Sequence, residues 1–209
     1  MKNKIRECGI IPVVKISEIE KAVKLAEALQ RGGINCAEIT FRAERAEVAM
    51  DHILNKYPDM MIGAGTVLTI SEAKLAVEAG AKFMVSPGFD EEIVQYALER
   101  NVLVIPGCIT PTEIQRAMRY GLDMVKFFPA EQFGGLRSIR ALAGPFPNIR
   151  FVPTGGITLD NLGEYMGEPS VLACGGSFMV KEELIESCQW DAICELSKKS
   201  IEIIRKVRK

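Results

Sequence analysis

Imidazole is almost absent from this chain: the only histidine in its 209 residues is His52. A serine hydrolase would have to use His52 as its base, and that residue falls in a polar helical stretch, so a Ser-His-Asp triad is disfavoured. Zinc is disfavoured for the same reason, since no Cys-x-x-Cys pair compensates for the missing imidazoles. The six cysteines (Cys8, Cys36, Cys108, Cys174, Cys188, Cys194) read as small hydrophobes in a reducing compartment, four of them in core-like segments. A formal net charge of −1 supplies no bulk attraction to nucleic acid or to an anionic membrane. No apolar run is long enough to span a bilayer, and the polar first ten residues lack the h-region of a secretory signal. These absences point to a cytoplasmic protein without nucleic-acid or membrane partners.

What is present is a repeated β-then-α beat. Short apolar, β-rich runs occupy 10–14, 36–41, 61–64, 83–86, 102–106, 124–128, 150–153 and 171–174. Stretches of helical periodicity occupy 18–30, 44–55, 71–79, 91–100, 111–119, 136–143, 159–166 and 182–206. Eight such units predict an α/β fold, a compact parallel eight-stranded (β/α)₈ TIM barrel filling residues 1–209 as one domain. A doubly wound open sheet is the alternative. Its first strand–helix turn normally carries glycines, whereas here that turn reads Lys15-Ile16-Ser17. Glycines instead follow the strands at Gly63 and Gly65, Gly88, Gly107, Gly155 and Gly156, and Gly175 and Gly176. In a barrel that is the active-site face.

Two of these strands contain charge. Alternation along Met124-Val125-Lys126-Phe127-Phe128 sends Val125 and Phe127 to the helices and turns Lys126 into the barrel. Along 36–42, the same parity sends Ala37, Ile39 and Phe41 outward and turns Cys36, Glu38, Thr40 and Arg42 inward or onto the rim. A self-satisfied Lys126–Glu38 ion pair would explain the charges structurally, but buried pairs contribute little stability. Catalysis explains them better. Desolvation favours the neutral, nucleophilic form of an amine, which can attack a carbonyl and form a Schiff base. Glu38 can move the protons and Arg42 can hold a carboxylate in a bidentate contact. Lys15, at the end of the first strand, is the rival lysine; Lys82, before the fourth, belongs at the opposite rim. The loops after strands seven and eight, with Gly155, Gly156 and Ser177, suit a phosphate, which barrels often bind there through backbone N–H groups.

The segments Glu38-Ile39-Thr40-Phe41-Arg42, Gly63-Ala64-Gly65-Thr66-Val67-Leu68, Ser86-Pro87-Gly88, Lys126-Phe127-Phe128-Pro129-Ala130-Glu131, Pro153-Thr154-Gly155-Gly156-Ile157 and Gly175-Gly176-Ser177 together resemble the 2-keto-3-deoxy-6-phosphogluconate aldolase family. That family includes bifunctional enzymes acting on 4-hydroxy-2-oxoglutarate. The resemblance runs the length of the chain. It implies a homotrimeric class I aldolase of the Entner–Doudoroff pathway, without metal or cofactor, that acts on a small 2-keto acid. By motif, Lys126 forms the Schiff base and Glu38 is the acid/base. Arg42 and Thr66 bind the pyruvate carboxylate, Pro87 and Phe128 line the methyl pocket, and Gly155, Gly156 and Ser177 take the phosphate. Phe41 and Phe178 depart from the family's common residues without touching the chemistry. Two rival readings use the same barrel: a sugar-phosphate decarboxylase or isomerase with a non-covalent Lys126, and a non-catalytic sugar-phosphate-binding protein.

Overall fold

The computed structural model describes residues 1–208. A short helix, α1 (Lys2–Cys8), precedes eight strands: β1 (Ile10–Val14), β2 (Cys36–Thr40), β3 (Met61–Gly65), β4 (Phe83–Val85), β5 (Leu103–Ile105), β6 (Met124–Phe127), β7 (Arg150–Pro153) and β8 (Cys174–Gly176). Between them run α2 (Ala22–Arg31), α3 (Ala46–Lys56), α4 (Ile70–Glu78), α5 (Glu91–Glu99), α6 (Pro111–Arg119), α7 (Gly135–Ala143) and α8 (Leu159–Met166); α9 (Glu182–Glu186) and α10 (Trp190–Val207) close the chain.

All strand pairs are parallel. Six strands form one sheet in the order β5-β4-β3-β2-β1-β8, and β6 pairs with β7 in a second. Single bridges join the two sheets, Gly107 to Lys126 on one side and Thr154 to Gly175 on the other. The eight expected strands are therefore present and parallel, but as a six-stranded and a two-stranded sheet rather than as one continuous eight-stranded sheet. Val125 and Phe127 are buried on the helix side of β6, where Phe127 meets Phe151 edge to face with centroids 6.3 Å apart. Burial of one such ring contributes about 1.5–3 kcal/mol.

Helix starts follow local chemistry. Thr69 with Glu72, Thr110 with Glu113 and Thr158 with Asn161 form capping boxes at the entries to α4, α6 and α8. Asp90 accepts from the Ile93 N–H at the entry to α5. Each cap lies just beyond the C-terminal end of a strand, so the strand-to-helix turns are pinned around the site.

Several predicted boundaries move. The run at 171–174 gives way to a strand at Cys174–Gly176. Its glycines have poor intrinsic strand propensity, but they pair in register with Ile11 and Pro12 of β1. Gly175 and Gly176 therefore lie within a strand, as Gly63 and Gly65 do within β3. The helix expected over 182–206 breaks, with Cys188 between α9 and α10 at φ 53°. The helix expected from residue 18 opens with a 3₁₀ turn, Ile19–Lys21. The polar N-terminus forms α1, held by the single fully buried side chain Ile5.

Candidate active site

Lys126 is fixed at both ends of its peptide unit. Its N–H donates to the Pro106 carbonyl and its own carbonyl accepts from Cys108 N–H, each at 2.9 Å. The side chain points inward, as strand parity predicts, and is only 4% exposed. Its Nζ lies 3.7 Å from Glu38 Oε1 and 5.0 Å from the centroid of the Phe128 ring. Phe128 itself is partly open to solvent, and its peptide bond to Pro129 is cis.

Glu38 is buried on β2, and its Oε1 has no hydrogen-bond partner. The distance of 3.7 Å to Lys126 exceeds a normal hydrogen bond. A buried acceptor left open costs about 1–3 kcal/mol, and more when charged. The pair is thus not satisfied within itself, and the purely structural explanation of the two charges loses its force. β3 makes room for the carboxylate: a Cβ on Gly65 would stand 2.2 Å from Glu38 Oε1.

A single cavity of about 210 Å³ is lined by Glu38, Arg42, Thr66, Pro87, Lys126, Phe128, Gly155, Gly156 and Ser177. All nine residues singled out from the sequence therefore meet in one place. Arg42 and Ser177 are exposed at its rim. Thr66 holds a left-handed φ of 55° at the end of β3, a conformation that costs a non-glycine residue roughly 1–2 kcal/mol. The strain turns the chain sharply at the cavity wall.

Thr40, which shares the inward face of β2, does not reach the cavity; its hydroxyl donates to the Val14 carbonyl. The rival Lys15 lies in a neighbouring cavity and pairs with Glu182 at 3.0 Å. Lys82 precedes β4, at the opposite end. His52 is exposed on α3. The thiols offer no competing nucleophile nearby, since burial pushes Cys108 up to about 12 and raises Cys174 as well.

Gly175 and Gly176, expected at the strand ends, line the cavity too, as do Val13, Thr154 and Ile157, which were not given a role from the sequence. Thr154 had a visible signal: it is the polar residue beside the Gly155-Gly156 pair. It is buried, and a Cβ on Gly175 would stand 2.3 Å from its Oγ1. The two glycine pairs play different parts. Gly155 and Gly156 have φ of 97° and 81° in the loop after β7, whereas Gly175 and Gly176 are extended within β8. The described hydrogen bonds leave the N–H groups of Gly156 and Ser177 without a protein acceptor. Behind the loop, the Tyr165 hydroxyl donates to Glu131, whose Cγ occupies space that a Gly156 Cβ would need. Burial first, then this acceptor, raises the Tyr165 hydroxyl's pKa above its usual value. A buried amine, an unsatisfied carboxylate, a guanidinium and free backbone donors can together bind and activate a carbonyl compound with an anionic end.

Residues 1–196 match the family described as KDPG and KHG aldolase. A 2-dehydro-3-deoxy-phosphogluconate aldolase of Treponema pallidum is 48% identical over 93% of either chain. The KHG/KDPG aldolase of Escherichia coli is 40% identical over 92% of this chain and 91% of its own. Among solved structures, a KDPG aldolase from Legionella pneumophila, with pyruvate captured as a covalent carbinolamine, superposes with a TM-score of 0.91. It is 39% identical, over 94% of this chain and 96% of that one.

Proposed function

This chain belongs to the KDPG and KHG aldolase family, and from that premise we propose that it is a class I aldolase working through an imine on Lys126. Its principal reaction cleaves 2-keto-3-deoxy-6-phosphogluconate to pyruvate and D-glyceraldehyde 3-phosphate, a step of the Entner–Doudoroff pathway. A second activity cleaves 4-hydroxy-2-oxoglutarate to pyruvate and glyoxylate. The observation that carries this reading is a buried amine 3.7 Å from a buried carboxylate that lacks a hydrogen-bond partner, both on the wall of one cavity.

The Lys126 amine attacks C2 of the keto acid and gives a carbinolamine. The covalent pyruvate adduct of the Legionella relative supports this first intermediate. Glu38 delivers a proton to the departing hydroxyl, water leaves, and the iminium forms. Glu38, now a carboxylate, takes the C4 hydroxyl proton. The C3–C4 bond breaks, its electron pair flows into the iminium, and the aldehyde leaves an enamine behind. Protonation at C3 and addition of water then release pyruvate and free Lys126. The protonated imine is the electron sink, a task a metal or organic cofactor performs elsewhere.

Arg42 and Thr66 receive the keto acid's carboxylate. Pro87 and Phe128 bound the carbon that becomes the pyruvyl methyl. Gly155, Gly156 and Ser177 receive the phosphate, through backbone N–H groups and a hydroxyl. Residues 1–209 are read as one closed (β/α)₈ domain, with the bridges at Lys126 and Gly175 as its seams. The six free cysteines suit a cytoplasmic setting. Assembly as a homotrimer rests on the family resemblance, and light scattering checks it by returning three times the chain mass.

Incubation with pyruvate, reduction with borohydride and peptide mass spectrometry test the central claim. A pyruvyl adduct on the Lys126 peptide is expected. An adduct on Lys15 instead would move the nucleophile to that residue, and none on any lysine would return the choice to a non-covalent decarboxylase, an isomerase or a binding protein.

A further inference from the structure

Peptide planarity turns a set of hydrogen bonds behind the loop after β7 into a statement about the space in front of it. The carbonyls of Thr154 and Gly155 accept from the backbone N–H groups of Ala130 at 2.8 Å and Glu131 at 3.2 Å. The Gly156 carbonyl accepts from Asn161 Nδ2 at 2.9 Å. In a trans peptide, the carbonyl of one residue and the N–H of the next point in opposite directions. These peptides are trans, since the chain's cis bond is elsewhere. Three carbonyls held outward therefore aim the N–H groups of Gly155, Gly156 and Ile157 toward the cavity that these residues line.

Two of the three outward bonds come from main chain. The third depends on a side chain, and that side chain is itself held. Asn161 Oδ1 accepts from Thr158 N–H at 2.8 Å in the capping box of α8, which orients the amide so that Nδ2 faces Gly156. Asn161 does not line the cavity. It ties the first turn of a rigid helix to the glycine loop.

We propose that Asn161 is a positioning residue for the anionic end of the substrate: it holds the Gly156–Ile157 peptide with its N–H directed at the phosphate. This rests on the reading that the loop receives the phosphate. Because the effect acts through one peptide plane of the phosphate loop, it separates phosphorylated from unphosphorylated substrates.

Asn161→Asp keeps an oxygen for the Thr158 N–H and removes the donor to Gly156. Asn161→Ser does without the added charge, and both variants are assayed in high salt to screen that charge. The expected result is a KM for 2-keto-3-deoxy-6-phosphogluconate raised about tenfold, equivalent to ~1.4 kcal/mol. Inhibition by inorganic phosphate weakens by the same factor. The kcat and the cleavage of 4-hydroxy-2-oxoglutarate stay within about twofold, a split that loss of folded protein would not produce. An unchanged KM in both variants, or equal losses with both substrates, overturns the proposal. If inorganic phosphate fails to compete even in the unaltered protein, the phosphate reading of the loop falls, and this proposal with it. Competition in the unaltered protein with no weakening in the variants removes this proposal alone.

Discussion

At one end of the cavity Lys126 and Glu38 reach in from the middles of β6 and β2; at the other, Gly155, Gly156 and Gly175 present mostly main chain. In the proposed reaction the first end works by side-chain chemistry held on strands. The second would work by backbone direction, set at Gly155 and Gly156 by left-handed φ angles and by bonds from behind. Substitution at the first end should therefore strike turnover, and substitution at the second should strike the affinity for a phosphorylated substrate.

Lys126→Met is the strongest way to test that contrast. It should abolish cleavage of both substrates while circular dichroism shows an intact fold; normal turnover would remove Lys126 from its proposed role. Glu38→Gln comes next, with kcat lower by about 10²–10⁴-fold, the usual range for a lost general acid–base. A change confined to KM in steady-state assays would move Glu38 to the binding end. Gly156→Ala is expected to be milder and different in kind. Its φ of 81° and the Glu131 Cγ at 2.4 Å both oppose a Cβ. It should cost on the order of 1–2 kcal/mol of stability in denaturant melts and raise the KM for the phosphorylated substrate by a larger factor than that for hydroxyoxoglutarate. Equal effects on the two substrates would erase the distinction between the ends. Ser177→Ala should do least, a loss of about 1 kcal/mol of binding from one exposed hydroxyl, visible as a several-fold rise in KM with kcat unchanged.

The same contrast governs what could be read from the sequence. Parity along a strand is a local rule, so the inward turn of Lys126 and Glu38 was legible, as was the outward packing of Val125 and Phe127. The nine site residues converge because the motifs sit at the C-terminal ends of strands, and strand order follows from the β-then-α beat. The backbone end was harder to read. Two Gly-Gly pairs look alike in one dimension, yet one is a left-handed loop and the other pairs within β8. The apolar run at 171–174 outweighed the glycines because propensity does not register a neighbouring strand, and β8 is defined by its ladder to β1. Nothing in the letters marks Thr66 as left-handed or sets Glu38 over Gly65; both depend on β2 and β3 lying side by side. Asn161 was invisible for the same reason, since its partner Gly156 becomes a partner only after the loop is folded.

Helix α1 and Arg208 meet beneath the strands. The Arg208 guanidinium donates to the carbonyls of Arg6, Val171 and Leu172, and so draws the two ends of the chain together at the floor, away from the cavity at the strand C-termini. For anyone wishing to handle the protein, that geometry is a convenience. A tag, a surface linker or a fused partner attached beyond either of these segments would lie on the side opposite the candidate site, leaving its mouth unobstructed. A short peptide joining the two ends would permit new termini to be opened in an outer loop, with the strands that carry Lys126 and Glu38 left whole.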